Sequence, residues 1–425
     1  MKKCIFIILL VILFLPIFID EVLALAFDLE IVGEGAVLIE QNTGKILYEK
    51  NKNEKMYPAS TTKIMTGILA LELGDLKEIV TIGEEIEIIP GDSSSASLFV
   101  NQKITLEELL YGLLLPSGND AANSIAVHIA KKLVNDEFIT YQDAIEVFVG
   151  LMNRKAKEIG AKNTNYVNPH GYHDDEHYTT PWDMAMITRN AMGNEKFREI
   201  VKSKFYTFKN SSEGIETDKQ WKNYNELLQL NNKNYFPYAN GVKTGRTTKA
   251  GRCLVSSATK DNLNLISVLF KSTEEDVWKD SSEILSFGIE NFRYHTLANK
   301  NQSIAKIKVE KAFNKDKNEL NVITNKKLQV LLNKADIPNI EKQLYLGKDN
   351  TQMLEGENIN LVAPIEKGEV IGYVTYSING EEILKEDLIA NNTIRKRNIF
   401  ITYWWLFALM LIAIIAIFVS KFNRS

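Results

Sequence analysis

Cysteine is almost absent from this chain: its 425 residues include only Cys4 and Cys253. Cys4 lies in an amino-terminal segment that we expect to be removed, so Cys253 would be the single thiol of the mature chain. A single thiol cannot form an intramolecular disulfide, which excludes a small disulfide-stabilised fold. The fold must therefore be held by its hydrophobic core, and Cys253, which lies in an apolar run, is predicted to be a buried structural thiol.

A surplus of positive charge is also missing. The chain has 50 Lys and Arg residues against 54 Asp and Glu residues, a formal net charge of −4, and no long basic cluster. Nucleic-acid-binding proteins normally carry a basic face, so the composition argues against that class. The content of 45% hydrophobic and 24% charged residues is typical of a globular protein, and the length allows two or three domains.

Histidine is scarce, and three of the five histidines fall in one short stretch, at positions 170, 173 and 177. His173 and His177 are four residues apart, a spacing that binds metal when both lie on one helix face. The Gly, Pro and polar neighbours argue against a helix at this point. We therefore predict no metal site and expect His170, His173 and His177 to shape the rim of a cleft.

The amino-terminal residues 1–26 have the composition of a secretory signal peptide. Lys2 and Lys3 precede a long apolar run, and Ala24-Leu25-Ala26 provides a small-residue cleavage site. A retained amino-terminal anchor is the alternative. Cleavage after Ala26 would leave a mature chain that is exported across the cell membrane.

The carboxy-terminal run 399–419 contains no charged residue. As a helix it would rise about 31 Å, close to the ~30 Å hydrocarbon core of a bilayer. Aromatic residues lie near one of its ends, where such side chains favour the membrane interface. We expect a transmembrane anchor followed by a short tail, 420–425, and hence a protein secreted through its signal peptide and held on the outer face of the cell membrane. A peripheral helix lying on the membrane is the alternative.

Between these ends, hydrophobic periodicity and turn residues predict mixed α/β structure followed by β structure. We expect strands at 80–89, 96–100, 251–257 and 263–270, a hairpin at 35–48, strand and loop at 205–240, and helices running from Pro58 to Gly74, from Thr105 onwards, and over 121–133, 141–159, 181–192 and 278–292. Residues 301–388 alternate in polarity and have few helical runs, which indicates a separate β domain.

Ser60 and Lys63 form the first motif of chemical interest. Both would lie near the start of the helix that follows Pro58, three residues apart and therefore on one face. A serine hydroxyl needs a neighbouring base, and a buried lysine close to another cation can act as that base. The same spacing recurs at Ser257/Lys260 and Ser303/Lys306, so the motif decides little without companions.

Ser117 and Asn119 are the first companions, since they lie in a turn between two predicted helices. Ser117 can relay a proton, and Asn119 offers both a donor and an acceptor to a substrate amide. A helix-capping turn is the structural alternative, because Ser and Asn are common caps.

Lys243, Thr244 and Gly245 form the third motif, Lys-Thr-Gly, which occurs once in the chain. It precedes two predicted antiparallel strands. A lysine and a hydroxyl at a strand edge can bind a substrate carboxylate, and a glycine lets the substrate backbone approach closely. A solvated charge on a hairpin is the alternative for this motif alone.

The three motifs in this order resemble the signature set of penicillin-interacting serine enzymes. The chain closely resembles the D-alanyl-D-alanine carboxypeptidases, the low-molecular-mass penicillin-binding proteins. The segments that carry the resemblance are Leu113-Leu114-Leu115-Pro116-Ser117-Gly118-Asn119-Asp120-Ala121-Ala122, Asn168-Pro169-His170-Gly171 and Gly241-Val242-Lys243-Thr244-Gly245. The middle of the second motif is Gly118, where the β-lactamase pattern has Asp, which favours a carboxypeptidase over a β-lactamase.

The resemblance implies a transpeptidase-like α/β catalytic domain over 27–292, with a five-stranded antiparallel sheet flanked by helices. A small β-rich domain over 293–389, a linker over 390–398 and the anchor over 399–419 would follow. It also implies removal of the terminal D-alanine from the pentapeptide stems of peptidoglycan, in cell-wall biosynthesis and the control of cell shape. β-Lactams would be covalent inhibitors, no cofactor would be needed, and nucleic acid would not be a partner.

The resemblance assigns roles to particular residues. Ser60 would be the nucleophile, Lys63 its base, and Ser117 the group that passes a proton to the leaving amine. Asn119 would hold the peptide amide, and Lys243 and Thr244 would orient the terminal carboxylate, with Gly245 beside them. The backbone N–H groups of Ser60 and Arg246 would form the oxyanion hole. A β-lactamase, a D,D-endopeptidase and a penicillin sensor that acylates without turnover remain as alternatives on the same fold.

Overall fold

The computed structural model of the chain describes residues 29–212, 215–313, 318–347, 351–353, 361–397 and 403–422. The described residues divide into two compact units, one of residues 29–258 and 264–286 and one of residues 259–263 and 287–422. The predicted signal peptide, 1–26, lies outside the described residues.

The strands of the first unit are β1 (Gly35–Glu40), β2 (Ile46–Lys50), β3 (Ile79–Thr81), β4 (Lys103–Thr105), β5 (Phe205–Ser212), β6 (Ile215–Lys222), β7 (Ala239–Thr247), β8 (Gly251–Lys260) and β9 (Leu263–Ser272). Five of them form a sheet whose order is β2-β1-β9-β8-β7. β1 pairs antiparallel with β2 and β9, and β7 pairs antiparallel with β8. All six residues of β1 are buried, so both faces of the sheet are covered.

Seven α-helices accompany these strands: α1 (Lys63–Leu73), α2 (Leu106–Leu114), α3 (Asn119–Val134), α4 (Tyr141–Ile159), α5 (Pro181–Ala191), α6 (Glu195–Lys202) and α7 (Asp276–Asn291). α1 is buried from Lys63 to Ala70, which places it at the centre of the first unit. One large cluster of buried hydrophobic residues joins α1 to its neighbouring helices and to the sheet. This is the transpeptidase-like arrangement that the family resemblance implies.

Local sequence signals explain where the helices begin and end. Thr105 caps α2 with a complete capping box, in which its hydroxyl accepts from the Glu108 N–H while the Glu108 carboxylate accepts from the Thr105 N–H. Pro181 is the first residue of α5, where its missing N–H costs nothing. Gly160 ends α4 in the left-handed conformation that glycine adopts readily.

Two predicted strands are wrong. Of residues 80–89 only the first two belong to a strand, β3, which is followed by a 3-10 turn at Glu84–Ile86, and residues 96–100 form no strand. Residues 96–100 do not form a strand because the N–H groups of Ala96 and Leu98 donate to the buried Asp120 carboxylate instead of to a neighbouring strand.

A second difference from the predicted elements concerns Ser60, which lies in a 3-10 turn, Ala59–Thr62, immediately before α1.

The second unit is a β domain, as predicted. Its strands are β10 (Phe292–Ala298), β11 (Ser303–Glu310), β12 (Glu319–Ile323), β13 (Leu328–Asn333), β14 (Ile340–Leu346), β15 (Thr351–Met353), β16 (Leu361–Val362), β17 (Val370–Ile378) and β18 (Glu381–Ala390). β10 pairs with β13, and the rest form a sheet of order β15-β14-β17-β18-β12-β11-β16. Within the predicted linker, Ile394 is buried and bridges Ile365.

Helix α8 (Trp404–Phe422) covers most of the predicted anchor; residues 399–402 lie outside the described part of the chain. Its segment Trp404–Lys421 has a mean hydropathy of 2.2. By length and composition the helix is able to cross a membrane.

Candidate active site

Ser60 is presented by a tight, strained turn. The 3-10 turn Ala59–Thr62 begins after Pro58, whose carbonyl accepts from both the N–H and the hydroxyl of Thr61. Ala59 has a φ of 48°, an uncommon value for a residue with a side chain. Such backbone strain persists only where the surrounding structure holds it in place, and it is concentrated at functional sites.

Gly171 is one of the groups that hold this turn. It adopts a φ of +84°, and a Cβ at this position would overlap the Ala59 carbonyl and lie 2.8 Å from the Thr62 Oγ1 atom. Only glycine fits here, because both the conformation and the space exclude a side chain.

On the other side of the turn, the Cys253 thiol lies 3.6 Å from the Tyr57 carbonyl oxygen. Cys253 is buried, and burial raises the pKa of its thiol to about 12.

Lys63 lies beneath Ser60 and is fully buried. Its Nζ atom is 3.1 Å from the Ser60 Oγ atom, 2.6 Å from the Asn119 Oδ1 atom and 2.9 Å from the His170 carbonyl oxygen. The last two are obligate acceptors, so they hold two hydrogens of the amine. A neutral amine bound in this way directs its lone pair at the third neighbour, the Ser60 hydroxyl.

The electrostatic environment favours that neutral form. Burial is the main cause that lowers the pKa of Lys63 well below its ordinary value, and the positive charge of Lys243 lowers it further, while the Asp120 carboxylate acts in the opposite direction. A lysine whose pKa is depressed in this way is available as a base near neutral pH.

Ser117 lies in the turn between α2 and α3, and Asn119 is the first residue of α3. Ser117 has a φ of 64°, and its carbonyl accepts from the Ser94 hydroxyl. Asp120, buried at the start of α3, binds the segment opposite through the Ala96 N–H (2.8 Å) and the Leu98 N–H (3.1 Å). These contacts hold the 94–98 segment against the Ser117 turn and the start of α3.

Gly118 has a packing reason to lack a side chain. A Cβ at this position would lie 2.8 Å from the Ala96 Cβ atom and 2.9 Å from the Ala96 nitrogen. The aspartate that the β-lactamase pattern carries at this point would require the 94–96 segment to move away.

Strand β7 forms the facing wall and carries Lys243, Thr244, Gly245 and Arg246. The space over Gly245 is small: a Cβ there would lie 3.0 Å from the Pro58 carbonyl oxygen and 3.1 Å from the Ser60 nitrogen. The strand therefore approaches the Ser60 turn backbone to backbone. Its first residues are held by Asn225, whose buried amide donates to the Gly241 carbonyl at 3.0 Å.

Lys243 is buried with 2% of its surface exposed, and its Nζ atom donates to the Thr244 carbonyl at 3.1 Å. Burial lowers the pKa of Lys243 to about 7. Its charge is therefore sensitive to what enters the cleft, since a nearby anion would favour the protonated form.

These elements enclose a cleft of about 730 Å³. Six of the residues predicted from the sequence line it: Ser60, Ser117, Asn119, Thr244, Gly245 and Arg246. Lys63 and Lys243 are buried beneath its surface. Three distant segments of the chain thus meet in one groove.

The histidine segment closes one side of the cleft through hydrogen bonds that the sequence does not reveal. The His177 Nδ1 atom accepts from the Val167 N–H at 3.1 Å, so its Nε2–H donates to the Thr62 hydroxyl at 2.8 Å. Burial is the main cause that lowers the pKa of His177 to about 3, which keeps this tautomer neutral. One ring nitrogen of His177 therefore holds the Ser60 turn and the other holds the backbone of Val167. His173 lines the cleft, as expected of a rim residue.

Sequence reasoning missed two functional groups. One is the His170 carbonyl, which binds Lys63; the other is the Asp120 carboxylate, which organises the opposite wall. His170 and Asp120 both lie inside segments that carry the resemblance, but a backbone acceptor leaves no side-chain signal and Asp120 resembles an ordinary first-turn helix residue.

The arrangement fits acyl transfer. It combines a hydroxyl beside a buried amine, a close approach of the β7 backbone to the Ser60 nitrogen, and an amide side chain in a cleft open to an extended peptide.

Comparison with known proteins gives a family for both units. Residues 23–274 match the family described as D-alanyl-D-alanine carboxypeptidase, and residues 292–396 match the C-terminal domain of penicillin-binding protein 5. The carboxypeptidase DacF of Bacillus subtilis is 33% identical over 379 residues, covering 87% of each chain. DacA of Escherichia coli is 30% identical over 87% of this chain and 86% of its own.

Solved structures show the same likeness. Penicillin-binding protein 5 of Haemophilus influenzae has a TM-score of 0.61 at 29% identity, covering 87% of this chain and 99% of its own. The DD-transpeptidase of Streptomyces K15 has a TM-score of 0.57 at 33% identity, covering 62% of this chain and 99% of its own.

Proposed function

The chain belongs to the D-alanyl-D-alanine carboxypeptidase family, and from this premise we propose the role of each residue in its cleft. The protein is a serine D-Ala-D-Ala carboxypeptidase of peptidoglycan remodelling, and as a penicillin-binding family member it takes peptide substrates and binds β-lactams. The observation that carries the residue assignment is the 3.1 Å contact between the Ser60 hydroxyl and the buried Lys63 amine.

In the first step, the neutral Lys63 amine takes the proton of Ser60 as the Ser60 oxygen attacks the carbonyl of the penultimate D-alanine. The developing oxyanion accepts from the backbone N–H groups of Ser60 and Arg246. Removing one such donor typically costs about 3 kcal/mol of transition-state stabilisation. The close approach of Gly245 to the Ser60 nitrogen supports this placement.

In the second step, the tetrahedral intermediate collapses and the C–N bond breaks. Ser117 donates a proton to the departing nitrogen and takes one from the protonated Lys63. Free D-alanine then leaves, and Ser60 stays acylated. Asn119 holds the peptide amide. Water, deprotonated by the same base, then attacks the ester, releases the shortened stem and restores the Ser60 hydroxyl.

Substrate binding also fixes the charge of Lys243. The terminal carboxylate of the stem lies against Lys243 and Thr244. A bound carboxylate raises the pKa of Lys243 from about 7, so Lys243 is protonated when it binds the substrate.

The proposal extends to the substrates, the domain boundaries and the membrane location of the protein. The substrates are pentapeptide stems that end in D-Ala-D-Ala, and β-lactams inhibit by acylating Ser60. The catalytic domain spans 27–292, the β domain 293–389, the linker 390–398 and the anchor 399–419, with the catalytic unit on the outer face of the cell membrane. The apolar composition of α8 supports the anchor, and truncation before Trp404 is expected to release an active protein from washed membranes.

The test is release of D-alanine from a D-Ala-D-Ala-ended peptide, measured beside labelling of Ser60 by fluorescent penicillin. Ser60→Ala is expected to abolish both. Ser303→Ala is the matched control, because Ser303 and Lys306 have the same spacing but lie in the β domain. Release that survives Ser60→Ala would overturn the assignment, and rapid loss of the penicillin label would instead favour a β-lactamase.

A further inference from the structure

The end of the cleft beyond Arg246 is strongly basic. Arg246, Lys249 and Arg252 line it, on the last residues of β7, the connecting turn and the first residues of β8. Asp92 is the one carboxylate among the residues that line the cleft, and it lies close to the Tyr172 hydroxyl, 3.3 Å away. The local balance is thus positive in a chain whose net charge is −4.

Two of these three cations lack an ion-pair partner among the described residues. Arg252 is held by the Glu274 carboxylate through two hydrogen bonds, which offsets its charge. Arg246 and Lys249 are exposed, and neither forms an ion pair with any residue in the described part of the chain. Arg246 lies directly opposite Arg252 in the β7–β8 register. An anion bound beside the exposed charges of Arg246 and Lys249 would therefore be stabilised.

The proposed function fixes which part of a substrate reaches this end. The terminal carboxylate lies at Lys243 and Thr244, and the scissile carbonyl lies at the Arg246 N–H. The peptide therefore runs antiparallel to β7, and its upstream residues continue towards Thr247 and the turn. Each extended residue advances about 3.4 Å, so the residue before D-Ala-D-Ala has its side chain within reach of Arg246 and Lys249.

We propose that Arg246 and Lys249 form a subsite for a carboxylate carried by the side chain of the residue immediately upstream of D-Ala-D-Ala. This inference rests on the proposed function, because the substrate direction comes from it. The subsite selects acidic stems over neutral or cationic ones. Arg252 contributes little while Glu274 holds it.

The experiment uses the full chain in detergent and four N-acetylated peptides that end in D-Ala-D-Ala. In the first three peptides, the residue before D-Ala-D-Ala is 2-aminoadipate, the side-chain amide of 2-aminoadipate, or lysine. In the fourth peptide this residue is the amide, and the residue one position further upstream carries a carboxylate. The readout is kcat/KM for D-alanine release at low and high salt. Exposed ion pairs of this kind are expected to favour the carboxylate over the amide by about three- to tenfold, with a smaller ratio at high salt.

Charge variants locate the effect. Lys249→Gln is expected to lower the carboxylate-to-amide ratio, and the charge of Arg246 keeps the ratio above one. Glu274→Gln is expected to raise the ratio, because it frees the charge of Arg252. Lys77→Gln, which removes an exposed charge that does not line the cleft, is expected to leave the ratio unchanged.

Several results would overturn the subsite. A wild-type carboxylate-to-amide ratio of one would do so, as would a ratio that Lys249→Gln does not alter or a preference for the fourth peptide. An equal loss of kcat/KM on all four peptides in Lys249→Gln would also overturn it, because this result would assign Lys249 to the terminal carboxylate. Failure of the proposed function looks different: no peptide would release D-alanine, or release would survive Ser60→Ala.

Discussion

Gly171→Ala tests whether the Ser60 turn is held from outside. The substitution places a methyl group against the Ala59 carbonyl in a backbone conformation, φ of +84°, that L-residues avoid. The conformation costs about 1–2 kcal/mol, and overpacking adds about 1–3 kcal/mol. Relief of the overlap requires the turn to move by roughly 1 Å, and a misplacement of that size costs about a hundredfold in rate.

Two other glycines, Gly160 and Gly150, serve as controls that separate the cost of the backbone conformation from the cost of overpacking. Gly160 has a φ of +92° with open space around its Cβ position, so Gly160→Ala carries the conformational cost alone. Gly150 lies inside α4 with open space and an ordinary φ, so Gly150→Ala is expected to stabilise the protein by about 1 kcal/mol through helix propensity. Neither variant is expected to change the rate of acylation.

The assays are urea unfolding of the catalytic unit and the second-order rate of acylation by fluorescent penicillin. Gly171→Ala is expected to lose about 2–5 kcal/mol of stability and about a hundredfold in rate. If its acylation rate equals that of Gly160→Ala, the contact with Ala59 does not position the nucleophile and the reasoning fails.

Three further predictions follow from single groups. Acylation is expected to fall as the pH decreases through the depressed pKa of Lys63, because protonation removes the base; an acid limb that persists unchanged in Lys63→Ala would contradict this role. The pKa of Lys243 is about 7 in the folded state and has its ordinary value in the unfolded state. Between these two pH values the unfolded state binds more protons, so the free energy of unfolding rises with pH. Lys243→Met is expected to flatten that slope in urea titrations at pH 7 to 10. Thr105→Ala is expected to cost about 1 kcal/mol by removing the capping box, with no change in acylation.

The motifs could be read from the sequence because each depends on residue type and short spacing. Ser60 and Lys63 share a face at a separation of three residues wherever a helical turn forms, and the family resemblance supplied their partners Asn119 and Lys243. The wrong strand at 96–100 shows the limit of this approach. Its backbone donors are taken by Asp120, more than 20 residues away, and no local pattern reports such a contact.

The sequence alone determined the division into an α/β unit, a β unit and an apolar terminal helix, because hydrophobic periodicity records which faces must leave water. It also predicted which side chains carry the chemistry, and several of these residues line one cleft. Only the tertiary structure decided that the Lys63 amine meets the His170 carbonyl, that Gly171 leaves room for the Ala59 carbonyl, and that Arg246 faces Arg252 across two strands. These contacts join groups far apart in the chain, and their distances are set by the packing of whole elements.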